Sequence, residues 1–294
     1  MTRDERIRFL IDILLEEMPR FRAEAEKLPD TVESRRRLLR ALMNVRPPMP
    51  LRADFLAEQD KLLQEEKDAR DVVALDALPT VAEQKGLGTA DSFLERVVLW
   101  QGDITRLAVD AIVNAANSAL LGCFVPGHLC IDNVIHSAAG LQLRDACAAL
   151  MRAQGHDEAT GDAKLTPGFN LPARFVLHTV GPIVAPDAAG DFTPTKNDAA
   201  LLASCYRSCL DLAAKHGLKS VAFCCISTGE FHYPKRAAAE IAIRTVRDWL
   251  DENDADMKIV FNVFKDEDAE IYRELCPPLK SRRNKRKLLR QTRF

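Results

Sequence analysis

Short apolar runs alternating with helical segments predict an α/β domain with its sheet covered on both faces, preceded by an N-terminal helical extension. Three observations carry this. Residues 1 to 89 show apolar stripes at helical spacing. After Gly86 and Gly88 the pattern changes to apolar runs of four to seven residues with little polar alternation, as expected of strands buried on both sides. Amphipathic segments of helical period separate most of those runs.

The elements follow in order. Thr2-Arg3-Asp4-Glu5 fits a capping box, and Ile7, Leu10, Ile11, Leu14, Leu15 and Met18 mark one face of the helix it opens. Pro19 ends or kinks that helix. A second helix carries Leu38, Leu39, Leu42 and Met43 and stops at Pro47, Pro48 and Pro50. A third runs from near Ala53 to Ala69, with Phe55, Leu56, Leu62 and Leu63. These stripes need a partner surface, and the following domain is the obvious one. Strands are predicted at Val97–Trp100, Asp110–Ala115, Phe175–Val180, Val221–Ile226 and Lys258–Phe264. Helices are predicted at Leu141–Gln154, Leu201–His216, Lys235–Asp251 and Asp268–Leu275. The chain of 294 residues divides into an extension (1–89), an α/β domain (90–276) and a basic tail (277–294).

Charge and cysteine usage exclude several classes. The net charge of −2 offers no global field for nucleic acid or membrane. Lys280, Arg282, Arg283, Lys285, Arg286, Lys287, Arg290 and Arg293 place eight positive charges in the tail, leaving −10 on the rest. Such a run reads first as a solvated tail or a nuclear address, so nucleic acid is not an expected partner. The charged start (Arg3, Asp4, Glu5, Arg6) argues against a secretory leader, and no apolar stretch approaches the ~18 residues of a membrane span. The expectation is an intracellular, cytoplasmic protein, nuclear through its tail if the source is eukaryotic. Eight cysteines in such a chain do not suggest a disulfide framework, and Cys205, Cys209, Cys224 and Cys225 read as buried thiols.

Cys123, His128 and Cys130 stand apart. Cys-x4-His-x-Cys puts two thiols and an imidazole within eight residues, a donor set that suits zinc. Pro126 and Gly127 let the loop turn back on itself. No fourth Cys or His is near, so three ligands would leave one position open, as in catalytic sites. On spacing alone, a structural ion or no ion stays open too.

Further loops lie at strand ends, where ligands of α/β sheets bind. Ser227-Thr228-Gly229-Glu230-Phe231 joins an apolar strand to a helix, a junction whose backbone N–H groups suit an anion. Asp103 follows the first strand and suits an exocyclic amine or a turn; Asn114 and Asn117 end the second and suit a ribose or a turn.

Taken together, Gln101–Thr105, Val109–Ser118 and Ile226–Gly229 resemble the macrodomain family. Within it, Leu121–His136 resembles the zinc-dependent branch of protein ADP-ribosylhydrolases, and the helical leader matches that branch. The resemblance covers nearly the whole chain except the tail. It implies a three-layer α/β/α fold with a mixed central sheet, and ADP-ribose in a cleft across its top. It also implies one zinc ion per chain on Cys123, His128 and Cys130, beside the distal ribose. Asp103 would bond the adenine amine with Ile104 beside the ring, Asn114 and Asn117 would face the ribose, and Ser227, Thr228, Gly229, Glu230 and Phe231 would wrap the diphosphate. Ile131 and Asn133 join the ligand-binding set.

The implied activity is removal of mono-ADP-ribose from modified proteins, with an ester to an acidic side chain as the bond cut. Asn114 and Asn117 would orient sugar or water, and Asp132 is the candidate base, unless it only caps the helix beginning near Asn133. His136 reads as structural. Zinc would either lower the pKa of a water to ~7 or hold a ribose hydroxyl. The alternatives are a non-catalytic ADP-ribose reader and an ADP-ribose 1″-phosphate phosphatase.

Overall fold

The computed structural model describes residues 1–86, 91–253 and 255–276. Gly88, the boundary between 89 and 90, and the basic tail from 277 lie outside them.

The N-terminal helices form as their sequence predicts. Helix α1 (Arg3–Glu17) opens with the Thr2/Glu5 capping box, and a 3-10 turn begins at Pro19. Helix α2 (Val32–Val45) ends before Pro47, and helix α3 spans Ala53–Asp68. Their apolar faces share a second core in which Ile7, Leu10, Leu14, Leu39 and Phe55 meet Leu141 of the main domain. Arg46, 1% exposed, closes this unit: it pairs with Glu17 and donates to the carbonyls of Met49 and Pro50. Residues from Val73 onward belong with the larger core: Val73–Ala74 pairs with Leu107–Ala108, and Val81 and Ala82 are buried there.

Six strands build the main sheet: β1 (Val97–Gln101), β2 (Ala111–Ala116), β3 (Ala163–Pro167), β4 (Phe175–Val180), β5 (Ser220–Phe223) and β6 (Lys258–Val263). Their order is β1-β6-β5-β2-β4-β3, parallel except for β3, which runs antiparallel at the edge. The sheet is therefore mixed, as the family resemblance implies. Helices α4 (Ile131–Ala139), α5 (Leu141–Gln154), α6 (Lys196–Lys215), α7 (Lys235–Asn253) and α8 (Asp266–Leu275) flank it in a three-layer α/β/α arrangement.

Three departures from expectation have physical reasons. Strand β3 escapes a search for apolar runs because it carries Lys164 and Pro167, residues an edge strand tolerates. Helix α6 starts five residues before Leu201, where Thr195 and Asp198 form a capping box. Strand β5 ends at Phe223, so Cys224–Ile226 leave the ladder. All eight cysteines are free thiols. Among the described residues, no helix is long and apolar enough to cross a membrane.

The two cores are joined by a buried cation. Arg144 of α5, 3% exposed, donates to the carbonyls of Leu121 (2.7 Å), Met43 (2.9 Å) and Arg46 (2.6 Å). Removing it leaves buried acceptors without donors. Arg144→Met is therefore expected to lower unfolding free energy by about 3 kcal/mol, measured by urea titration; a loss under about 1 kcal/mol would mean that water replaces the guanidinium.

Candidate active site

Strands β2 and β5 are paired only at Ala111–Val221 and Ile112–Ala222. Beyond these rungs they part. On one side the chain continues from Asn114 to Asn117, on the other from Cys224 to Gly229. The order of the sheet reverses here, since β2 leads to β3 and β4 on one flank and to β5 on the other. A crevice at the carboxyl ends of such strands is where α/β sheets take ligands.

The β5 end builds a backbone cradle. Ser227 has φ +65, a left-handed conformation that turns the chain sharply. The Tyr233 N–H bonds the Ser227 carbonyl at 2.9 Å, and the His232 N–H bonds that of Gly229 at 3.0 Å. Among the described residues, the N–H groups of Ser227, Gly229, Glu230 and Phe231 have no acceptor. A Cβ placed on Gly229 would meet nothing within 4 Å, so the loop stays open, whereas a Cβ on Gly181 would lie 2.0 Å from Ser227 Oγ. That close approach makes Gly181 part of the loop's support, a role the sequence did not signal.

The loop from Cys123 to Cys130 stands beside this cradle. Sγ of Cys123, a ring nitrogen of His128 and Sγ of Cys130 all lie within 4.8 Å of one another, with Cys123 Sγ 3.6 Å from His128 Nδ1. Zinc bonds of about 2.3 Å to sulfur and 2.0–2.1 Å to nitrogen put tetrahedral donors roughly 3.5–3.8 Å apart, so this donor set fits one ion. Glu230 of the cradle lies 3.7 Å from His128 Nε2. That approach is too long for a hydrogen bond and brings the His128 imidazole and the cradle side by side. Cys130 is also the N-cap of α4, with the Asn133 N–H 3.4 Å from its sulfur. Burial and the nearby Cys123 push its thiol up; a divalent cation is what allows two neighbouring thiols to ionise together.

Between loop and sheet lies a buried carboxylate. Asp132, within α4 rather than at its cap, is 5% exposed. It accepts from Asn114 Nδ2 at 2.7 Å and lies 3.5 Å from Asn117 Nδ2. Burial raises it to about 6. His136 Nε2 sits 3.5 Å from Asp132. That contact is not a hydrogen bond, because neither His136 ring nitrogen has a partner. Burial, then His178 and Arg144, hold His136 neutral, well below the usual histidine range. A Cβ on Gly122 (φ +79) would meet this ring at 2.9 Å, so the glycine lets the metal loop start against it.

Asn114 is opposite His178 in the sheet register. Its second amide N–H faces His178 Nδ1 at 3.2 Å. Nδ1 must then accept, so the ring proton sits on Nε2 and is donated to Thr166 Oγ1 at 2.9 Å. His178 Nε2 also lies 3.6 Å from Cys147 Sγ, and the ligand atoms of His136, Cys147 and His178 come within 4.8 Å of one another. Both Asn114 donors are used, and its buried Oδ1 has no donor; Ser227 Oγ is likewise unpaired.

The other sequence candidates are placed as follows. Asp103 caps a 3-10 turn through Thr105 and faces Arg70 with Oδ2 at 3.4 Å. Ile104 is 2% exposed and turned into the core. Ile131 is half-buried at the start of α4. Asn133 is fully buried with both amide functions engaged. Asn117 bonds the Gly122 carbonyl at 3.2 Å and accepts from the Ala119 N–H at 3.1 Å. Thr228 donates its hydroxyl to the Cys225 carbonyl at 3.0 Å, and Phe231 is half-buried. Sequence reasoning missed His178, Glu230 as a neighbour of His128, and the support from the extension. None has a local signal, since each partner lies far along the chain.

The Macro domain family model matches residues 113–242. A protein-ADP-ribose hydrolase of Treponema medium is 50% identical over 275 residues, covering 94% of this chain and 99% of that protein. A protein of the same description from Staphylococcus aureus (strain MSSA476) is 45% identical over 266 residues, covering 90% and 94%. The crystal structure of a Trypanosoma brucei macrodomain in complex with ADP-ribose superposes with a TM-score of 0.61 at 31% identity, covering 78% of this chain and 92% of that one.

Burial lowers His178 to about 3. Its ring is therefore expected to stay neutral from about pH 5 to 9. Imidazole nitrogen NMR across that range should report the Nε2–H tautomer throughout; an Nδ1–H tautomer would mean that the Asn114 amide is turned the other way.

Proposed function

The chain belongs to the macrodomain family, and on that premise we propose that it is a zinc-dependent hydrolase that removes mono-ADP-ribose from modified proteins, cutting an ester to an acidic side chain. It is a hydrolase acting on ADP-ribose linkages, like the relatives it matches along nearly their whole length. One observation carries the finer reading. A Cys123–His128–Cys130 donor set, a backbone cradle of free N–H groups and a buried carboxylate converge on one cleft, with His128 and Glu230 only 3.7 Å apart.

Each part has a role in this reading. The free N–H groups of Ser227, Gly229, Glu230 and Phe231, with the Thr228 backbone, hold the diphosphate. Asp103 offers Oδ2 to the adenine amine in place of its contact with Arg70, and Ile104 contributes backbone beside the ring. Asn114 Oδ1, buried without a donor, takes a ribose hydroxyl, and Asn117 and Ile131 shape the same end of the cleft. Asp132 takes the proton of the attacking water, held in place by the two asparagine amides. Cys123, His128 and Cys130 would hold one zinc ion, which would supply Lewis acidity when bound.

Two outcomes are expected when mono-ADP-ribosylated protein is the substrate and released ADP-ribose is measured alongside metal content. Cys123→Ala and His128→Ala should lose zinc and most turnover; a zinc-free protein with full turnover rejects the metal's role. Asp132→Asn should lower kcat by roughly 10²–10⁴ while zinc content and ADP-ribose affinity hold. Binding without any release would identify a reader, and release of phosphate from ADP-ribose 1″-phosphate a phosphatase.

A further inference from the structure

The metal loop is held from outside the domain that carries it. Arg40, on α2, donates from Nη2 to the His128 carbonyl and to Asn133 Oδ1, each at 3.0 Å. Asn44, one turn later on the same helix face, accepts from the Gly127 N–H at 3.0 Å and donates to Ser137 Oγ at 3.1 Å. Asn133 completes the frame: its Nδ2 donates to the Val125 carbonyl at 3.0 Å, while Oδ1 accepts from Arg40 and from Ser137 Oγ. The loop's own backbone adds the bond from the His128 N–H to the Val125 carbonyl at 3.2 Å. Phe124, Val125 and Leu129 are exposed, so apolar burial does little to order it.

A loop with this much exposed chain and so few internal bonds has many conformations to lose before three ligand atoms converge. Two residues some ninety positions upstream remove that freedom at Gly127 and His128, inside the ligand span.

We infer that Arg40 and Asn44 are positioning residues for the metal loop, and that the helical extension is by this route a working part of the metal site. The inference rests on the zinc reading given above. It accounts for a half-buried arginine and a buried asparagine on a helix face that apolar residues would otherwise cover.

The test uses the full chain and zinc alone as the probe. Zinc affinity is measured by competition with a chromophoric chelator for the wild type, Arg40→Met, Arg40→Lys and Asn44→Ala. ADP-ribose affinity is measured by calorimetry on the same proteins. Arg40→Met and Asn44→Ala are expected to bind zinc roughly 10–100-fold more weakly, as outer-shell losses do, with ADP-ribose affinity within about twofold of the wild type. Arg40→Lys should recover part of the loss, because an ammonium reaches one acceptor without bridging both. If Arg40→Met does not fold, Asn44→Ala carries the comparison. Variants that hold zinc as tightly as the wild type overturn this inference and leave the zinc reading standing. A wild type that binds no zinc overturns both. Parallel losses in zinc and ADP-ribose affinity overturn it in favour of general destabilisation.

Discussion

Strands β2 and β5 share two rungs and then separate, and the cleft exists because of that parting. Parallel strands that stayed paired would use their backbone groups on one another. Here the groups past Ile112 and Ala222 must find other partners. Asn114 and Asn117 turn toward α4 and the Cys123–Cys130 loop, while Ser227, Gly229, Glu230 and Phe231 present N–H groups with no acceptor among the described residues. The same geometry that ends β5 three residues earlier than its apolar run suggests thus yields an anion cradle.

Burial then sets the chemistry of what faces the cleft. Asp132, His136 and His178 are each no more than 5% exposed, and each is moved toward its neutral form. The Asn114 amide and the Arg144 guanidinium oppose that shift at the carboxylate. Asn114 is the hinge of this arrangement: His178 and Asp132 claim its two donors, which aims its carbonyl oxygen away from both. The cost is a set of buried groups without partners: Asn114 Oδ1, Ser227 Oγ and the His136 ring at the cleft, and Arg40 Nε on α2. Unmet hydrogen bonds clustered at one cleft are what a site retains for a ligand rather than for the fold.

Much of this was legible along the chain. The strand and helix order, the capping box at Thr2 and the end of α2 before its prolines follow from local periodicity and backbone chemistry, which act over a few residues. The convergence of Cys123, His128 and Cys130 was legible because they sit within one loop. The polar edge strand β3 was not, because lysine and proline obscure a short run. Nor was the function of Asn133, which reads as a ligand contact beside Cys130 but has its amide turned into the loop.

By itself the sequence determined the α/β class, the helical leader, the cysteine–histidine loop and the loops at the strand ends, since each depends on neighbours close in the chain. Only the tertiary structure decided which of those loops meet. It put Glu230 against His128, Asp132 between two asparagines, His178 behind Asn114, and Arg40 and Asn44 onto a loop about ninety residues away. Such pairings leave no trace in local pattern, because a hydrogen bond constrains positions in space and places no periodic demand on the residues between them.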